Sequence, residues 1–240
     1  MNQAGLTGAE ARRLIREGEW RGPTAGLAED YAQANLVILP EACATDFTRF
    51  CTLNPKPCPV LGLTIRGNPH PEELAPGADL RSDVTRYRVY RDGNLAEEVT
   101  DIASLWREDF VAFLLGCSFT FEKALVRAGI PVRHLELGCN VPMFQTSVAC
   151  HSAGPFAGPL VVTMRPIPAS LVETASAVTS RFPRAHGAPV HSGDPSHLGI
   201  ADLSRPDYGD PVPVLPGEVP SSGPVGSPPR QPSRARVFRW

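Results

Sequence analysis

Residues 33–65, QANLVILPEACATDFTRFCTLNPKPCPVLGLTI, decide the fold. Gln33 to Leu39 is a short apolar run stopped by Pro40, the pattern of a buried strand. Glu41 to Leu53 then spaces Phe47 and Phe50 three apart, which puts both rings on one face of a helix. Asn54-Pro55-Lys56-Pro57 ends that helix, and 59–65, PVLGLTI, reads as a second buried strand. Strand, helix and strand in that order predict a layered α/β lobe.

Toward the N-terminus, Thr7-Gly8-Ala9-Glu10 is a capping-box pattern that starts an amphipathic helix running to about Gly18. Toward the C-terminus, a Pro- and Gly-bearing loop at 67–81 leads to a hairpin at 85–99. There TRYRVY alternates and Asp92-Gly93 supplies the turn. Residues 101–106 and 108–115 read as helices, Gly116-Cys117-Ser118 breaks the pattern, and Phe119 to Ala128 resumes a helix that Ser118 can cap. Residues 145–150 and 158–164 read as strands, and 170–181 as a helix with Leu171, Ala175 and Val178 inward. The fold class expected is mixed α/β with two lobes, a layered α/β lobe and a smaller α+β lobe. Their bounds are about 1–115 with 186–218, and 116–185.

The 240 residues are 42% hydrophobic and 20% charged, enough for one sizeable globular body. Formal net charge is −2, and the four arginines with no acid in 219–240 leave the rest at −6, which gives no reason to expect nucleic acid. No apolar run approaches the roughly 20 residues that cross a bilayer. The first twenty residues lack the order of an export signal, so a cytoplasmic protein with no membrane partner is expected. Six cysteines without a C-x-x-C pair read as reduced, mostly buried thiols.

Residues 187–210, GAPVHSGDPSHLGIADLSRPDYGD, concentrate two histidines and four aspartates where Pro189, Pro195 and Pro206 forbid a long helix. Ala-Pro-Val-His and Leu-Gly-Ile read as buried strand ends that deliver polar side chains into loops, a usual setting for chemistry. The structural alternative makes these aspartates turn-formers and caps. Arg165, at the end of an apolar strand, is either a carboxylate-binding fork or half of a surface ion pair. His134, His151 and His197 read as surface or locally hydrogen-bonded residues.

Taken in order, DFVAFLLGCSFTFEKAL (109–125), CNVPMFQT (139–146), GPLVVTMRPIP (158–168) and the 187–210 stretch resemble the D-glutamate cyclase family, also described provisionally as hydro-lyases. RYRVYRDG (86–93) agrees as well. The resemblance runs to Glu218-Val219-Pro220. It implies a two-lobed α/β fold and a carbon–oxygen lyase, which in the better-defined members converts D-glutamate to 5-oxo-D-proline and water. After Glu-Val-Pro, family members continue Val-Phe-Trp-Ala-Cys-Gly-Val-Thr-Pro-Gln, whereas residues 221–230 here are SSGPVGSPPR. Deleting one base from a GC-rich coding of the family ending yields Ser-Ser-Gly-Pro-Val-Gly-Ser-Pro-Pro. The tail is therefore expected to be a frameshifted reading, disordered over 219–240, which puts the activity of this chain in question.

Closing glutamate into a lactam requires proton transfer and cationic partners for carboxylates. His191 is the first candidate for proton transfer, with Asp194 orienting it or acting as a second acid/base. Asp207 and Asp210 are further acid/base candidates. Arg165 is the candidate for holding a substrate carboxylate, and Cys117 with Ser118 for an anion site at a helix start. His186, His191 and Asp194 could instead hold a divalent metal. A dehydratase of another hydroxy acid, and a non-catalytic binder of a small acidic metabolite, remain open alternatives. A homo-oligomer is compatible with everything above.

Overall fold

The computed structural model describes residues 5–225 and 237–239. The expected opening is present. Helix α1 (Gly8–Arg16) begins with a reciprocal Thr7–Glu10 capping box. Strand β1 (Ala34–Pro40) leads into helix α2 (Glu41–Leu53), which is followed by β2 (Val60–Leu63). The hairpin is β3 (Tyr87–Arg91) and β4 (Asn94–Val99), with Asp92 and Gly93 at positive φ in its turn.

The expected helix at 108–115 is strand β5 (Phe110–Gly116). Every residue of β5 is buried, because α2 lies against one face of its sheet and a loop cluster against the other. Val111, Phe113 and Leu115 join Phe47 and Phe50, while Phe110, Ala112 and Leu114 join Leu80, Tyr87 and Ile102. A strand covered on both faces shows no alternation, and its apolar run cannot be told from a buried helix by periodicity. Of 101–106, only Ala103–Leu105 is helical, as a 3₁₀ turn.

After β5 the chain makes a 3₁₀ turn at Ser118–Phe121, then helices α3 (Glu122–Arg127) and α4 (Arg133–Glu136). A second sheet follows, from β6 (Met143–Ala149), β7 (Pro159–Pro168), β8 (His191–Ser192) and β9 (Glu218–Val225), with helix α5 (Val172–Ser180) between β7 and β8. A last strand, β10 (Val237–Arg239), returns to the first sheet. The sheet orders are β2-β5-β1-β10-β3-β4 and β6-β7-β9-β8, with every named pairing antiparallel. The architecture is mixed α/β.

Two expectations about the C-terminal part need correction. The stretch expected to group with the first lobe, 186–218, instead adds β8 to the second sheet. Residues 219–225, expected to be disordered, form most of β9, paired with β7 from Val161↔Val225 to Pro168↔Glu218. Composition alone misleads here because flanking strands supply partners on both sides, including a Ser192–Ser221 hydroxyl contact of 2.9 Å. Residues 237–239 are also a strand rather than disordered, and the expectation for 226–236 and 240 lies outside the described residues. Leu198-Gly199-Ile200 is not a strand end but the close of a 3₁₀ turn, with Gly199 at φ +74°.

Candidate functional site

Between the two sheets lies a cavity of about 240 Å³. The first sheet contributes Asn35, Leu36 and Val37 of β1 together with Thr85, Arg86 and Arg88. The second contributes Met143, Thr163 and Val225, and the turn after β5 contributes Cys117, Ser118 and Phe119. Tyr208, Gly209 and Arg21 complete its rim with Asn140 and Val141. Among the described residues, three arginines and no carboxylate or histidine line this space, so it favours anions. The alternation of 86–91 explains two of them. Tyr87 and Val89 enter the core, which turns Arg86 and Arg88 the other way, where both contact Glu98.

Behind the cavity wall sits a buried polar cluster. Arg165 on β7 donates to Glu122 Oε1 at 2.5 Å, to Ser118 Oγ at 3.1 Å and to Thr163 Oγ1 at 3.0 Å. His134 Nε2 lies 2.8 Å from the same Glu122 oxygen, and the Phe121 ring packs 5.3 Å from the Arg165 guanidinium carbon. Burial pushes the Glu122 carboxyl up, but the Arg165 charge and the His134 contacts outweigh it, and the net direction is down. Arg165 is thus neither half of a surface ion pair nor a free fork for substrate, because a resident carboxylate already occupies it. Its reach into the cavity is indirect, through the hydroxyls of Ser118 and Thr163. Ser118 does not cap a helix, as expected, but accepts from Arg165. Its own hydroxyl proton has no acceptor among the described residues.

Cys117 lines the cavity with its thiol pushed up to about 12 by burial, so it stays neutral. The segment expected to open a helix here opens instead with the 3₁₀ turn at Ser118–Phe121. Gly116, one residue earlier, admits the close approach of residues 184–185, since a Cβ there would stand 1.7 Å from the Arg184 carbonyl oxygen.

The remaining candidates fall elsewhere. His191 pairs with Ser222 and, across β9, aligns with Met164, whereas Arg165 aligns with Ser221 and Ser192. Adjacent residues of a strand face opposite sides. His191 and Arg165 therefore lie two strand spacings apart, about 10 Å, and on opposite faces of the sheet. His191 Nε2 contacts the Asp194 backbone oxygen at 2.8 Å, not its carboxylate, and its ring stands edge-on to His197. The Asp194 carboxylate caps the 3₁₀ turn at Pro195–Leu198 by accepting from Ser196 N, which holds its pKa low. Asp207 accepts from Gln145 N at 2.8 Å and Asp210 from Asn140 N at 2.8 Å. These two aspartates clamp the loop that presents Tyr208 and Gly209 to the cavity by long-range bonds to Gln145 and Asn140, not by forming local turns. His186 is buried, with Nδ1 2.9 Å from the Lys56 oxygen. No group of three or more side chains suited to a metal ion occurs among the described residues.

Sequence reasoning missed Glu122, His134, Arg86, Arg88 and Arg21. Arg86 and Arg88 had a usable signal in the alternation of RYRVYR. His134, read as a surface or locally bonded residue, is buried, and only the packing of α4 against α3 reveals its partner.

Comparisons with known proteins bear on the family of this chain. A sequence profile described as D-glutamate cyclase matches residues 111–227, which hold Cys117, Ser118, Thr163, Tyr208 and Val225 of the cavity. Bacterial relatives carry a provisional hydro-lyase name. One from Geobacillus kaustophilus is 58% identical over 217 residues, covering 90% of this chain and 82% of the relative. One from Thermoanaerobacter pseudethanolicus is 59% identical over 220 residues, covering 92% and 83%. One from Rubrobacter xylanophilus is 61% identical over 212 residues, covering 88% and 82%. With identity of this order over most of both chains, and with the profile match within them, this protein belongs to the D-glutamate cyclase family.

Proposed function

We propose that the arginine-lined cavity binds D-glutamate and that the protein is a lyase closing it to 5-oxo-D-proline with loss of water. The observation that carries this reading is a space of about 240 Å³ whose walls, among the described residues, hold three arginines and no acidic side chain, Arg86 and Arg88 sharing the one carboxylate of Glu98 off the lining. That charge balance suits a small dicarboxylate. In the reaction the amino nitrogen bonds to the side-chain carboxyl carbon, and one carbon–oxygen bond of that carboxyl breaks. Both protons that leave with the oxygen as water originate on the substrate's ammonium group. The site has to move protons rather than supply them.

Arg21, Arg86 and Arg88 are assigned to the substrate carboxylates. Ser118 is assigned to proton transfer toward the departing oxygen, with the Arg165 guanidinium fixing its Oγ and favouring electron density there. Arg165 is then a positioning residue. His191, Asp194, Asp207 and Asp210 have no direct part in the chemistry.

The test is a proton NMR time course with D-glutamate and, separately, with 5-oxo-D-proline, on this chain and on a chain carrying the family ending after Pro220. Conversion is expected, with Ser118→Ala lowering kcat by about 10²-fold or more and His191→Ala leaving it within a few-fold. Absence of conversion by both chains would refute the reading. Loss of turnover in His191→Ala with Ser118→Ala unimpaired would return the chemistry to the outer face of the second sheet.

A further inference from the structure

A second cavity, of about 400 Å³, lies between helix α1 and the first sheet. Its walls are apolar, with Ala11, Ile15, Leu27, Leu36, Leu80 and Leu114 among them. Only Leu114 and Arg184 of its lining fall within 111–227, the segment matched by the family profile. Of its lining, only Asn35 and Leu36 are shared with the cavity of the proposed reaction.

Its polar end is formed by Arg12 and Asp83. Asp83 is already saturated. It accepts from Arg16 Nε at 2.7 Å and Arg16 Nη2 at 2.8 Å, and from the Asp79 amide at 2.9 Å. Arg12 donates through Nη2 to the Pro76 oxygen, but its Nε is buried without a hydrogen-bond partner, and the Asp83 carboxylate stands 3.7 Å away. Two guanidinium groups facing one carboxylate leave an excess positive charge. Arg184, at the other side of the lining, meets only backbone oxygens among the described residues. An apolar chamber with an under-satisfied guanidinium at one end is complementary to one chemical class. That class has an aliphatic body and a single carboxylate head.

We propose that this cavity is a binding site for a small amphipathic monocarboxylate, its chain among Ile15, Leu27, Leu80 and Leu114 and its head on Arg12. Asn35 and Leu36 of β1 line both cavities, so the wall between the two sites is a shared strand. The site is separate from the one assigned to glutamate and stands or falls independently of it.

Calorimetric titration of the full chain with octanoate, and in parallel with octylamine, tests the assignment. Saturable binding of one octanoate is expected, undiminished by D-glutamate. Octylamine should bind at least ten-fold more weakly. Arg12→Gln should weaken octanoate at least ten-fold, and Ala11→Leu, which fills the chamber from a helix position that favours leucine, should abolish it with the circular dichroism spectrum unchanged. Four results would each overturn the proposal: no saturable octanoate binding, equal binding of the amine, indifference to both substitutions, or competitive displacement by D-glutamate. The last would put octanoate in the arginine-lined cavity instead.

Discussion

Replacing Glu122 by leucine should be among the most damaging single changes in this protein. Both ends of the Glu122–Arg165 pair are almost wholly buried, and the same carboxylate also meets His134. Removing it leaves a guanidinium enclosed with two hydroxyls and the face of Phe121, none of which neutralises its charge. Breaking one side of such a pair costs about 3–5 kcal/mol. For a chain of this length each kcal/mol moves Tm by about 2–4 °C, so a fall of roughly 6–20 °C is expected. The double variant Glu122→Leu with Arg165→Met should recover most of that loss, because no charge is then left unpaired. Urea unfolding of the four proteins, followed by circular dichroism and tryptophan fluorescence, closes the cycle. The electrostatic account would fail if the single variant lost less than about 1 kcal/mol, or if the double variant were no more stable than the weaker single one. The pH dependence carries the same sign. With Glu122 held below its ordinary carboxylate value, its stabilisation is full at neutral pH and is lost as pH falls through the folded-state value. That acid limb should vanish in Glu122→Leu.

Two further changes test other parts of the architecture. Burial pushes His186 from 6.5 down to about 4, so the unfolded chain gains its proton first and stability should fall by about 3 kcal/mol between those pH values. His186→Asn, which tolerates the positive φ of 76° at that position, should flatten this window in pH-resolved unfolding curves. Gly209→Ala sets a Cβ 2.0 Å from the Val141 carbonyl oxygen at φ +75°. It should cost more than about 1 kcal/mol and displace the Tyr208 wall, seen as lost stability together with lost turnover.

The opening strand–helix–strand was readable because Pro40 and the prolines at 55–59 punctuate it, and because Phe47 and Phe50 declare an inward face. Strand β5 was not, since two covered faces erase alternation. What the sequence did not disclose is how His191 and Arg165 sit relative to each other. Each was a reasonable site residue, but whether they meet depends on the register of β8 and β7 against β9. A shift of one residue there exchanges the two faces of the sheet, and nothing local in 187–210 records that register. Asp194 was legible as a turn cap and is one, whereas Asp207 and Asp210 tie their loop to Gln145 and Asn140, long-range contacts that no local pattern records. Glu122 escaped notice because a single acid beside lysine in FTFEKAL resembles any solvated helix position.

Strand β2 stands at the outer edge of the first sheet, where unpaired backbone groups invite strands from other molecules. Leu63 and Ile65, 54% and 79% exposed, make that edge adhesive as well as unpaired. Two devices guard it. The pairing of β2 with β5 slips between Val60 and Gly62, which bends the edge away from a straight template. Arg184 donates to the Leu61 carbonyl at 2.9 Å and reaches that of Val60, occupying acceptors that an incoming strand would need. Arg184→Ala should therefore make concentrated solutions associate faster, read as a steeper rise of light scattering with time.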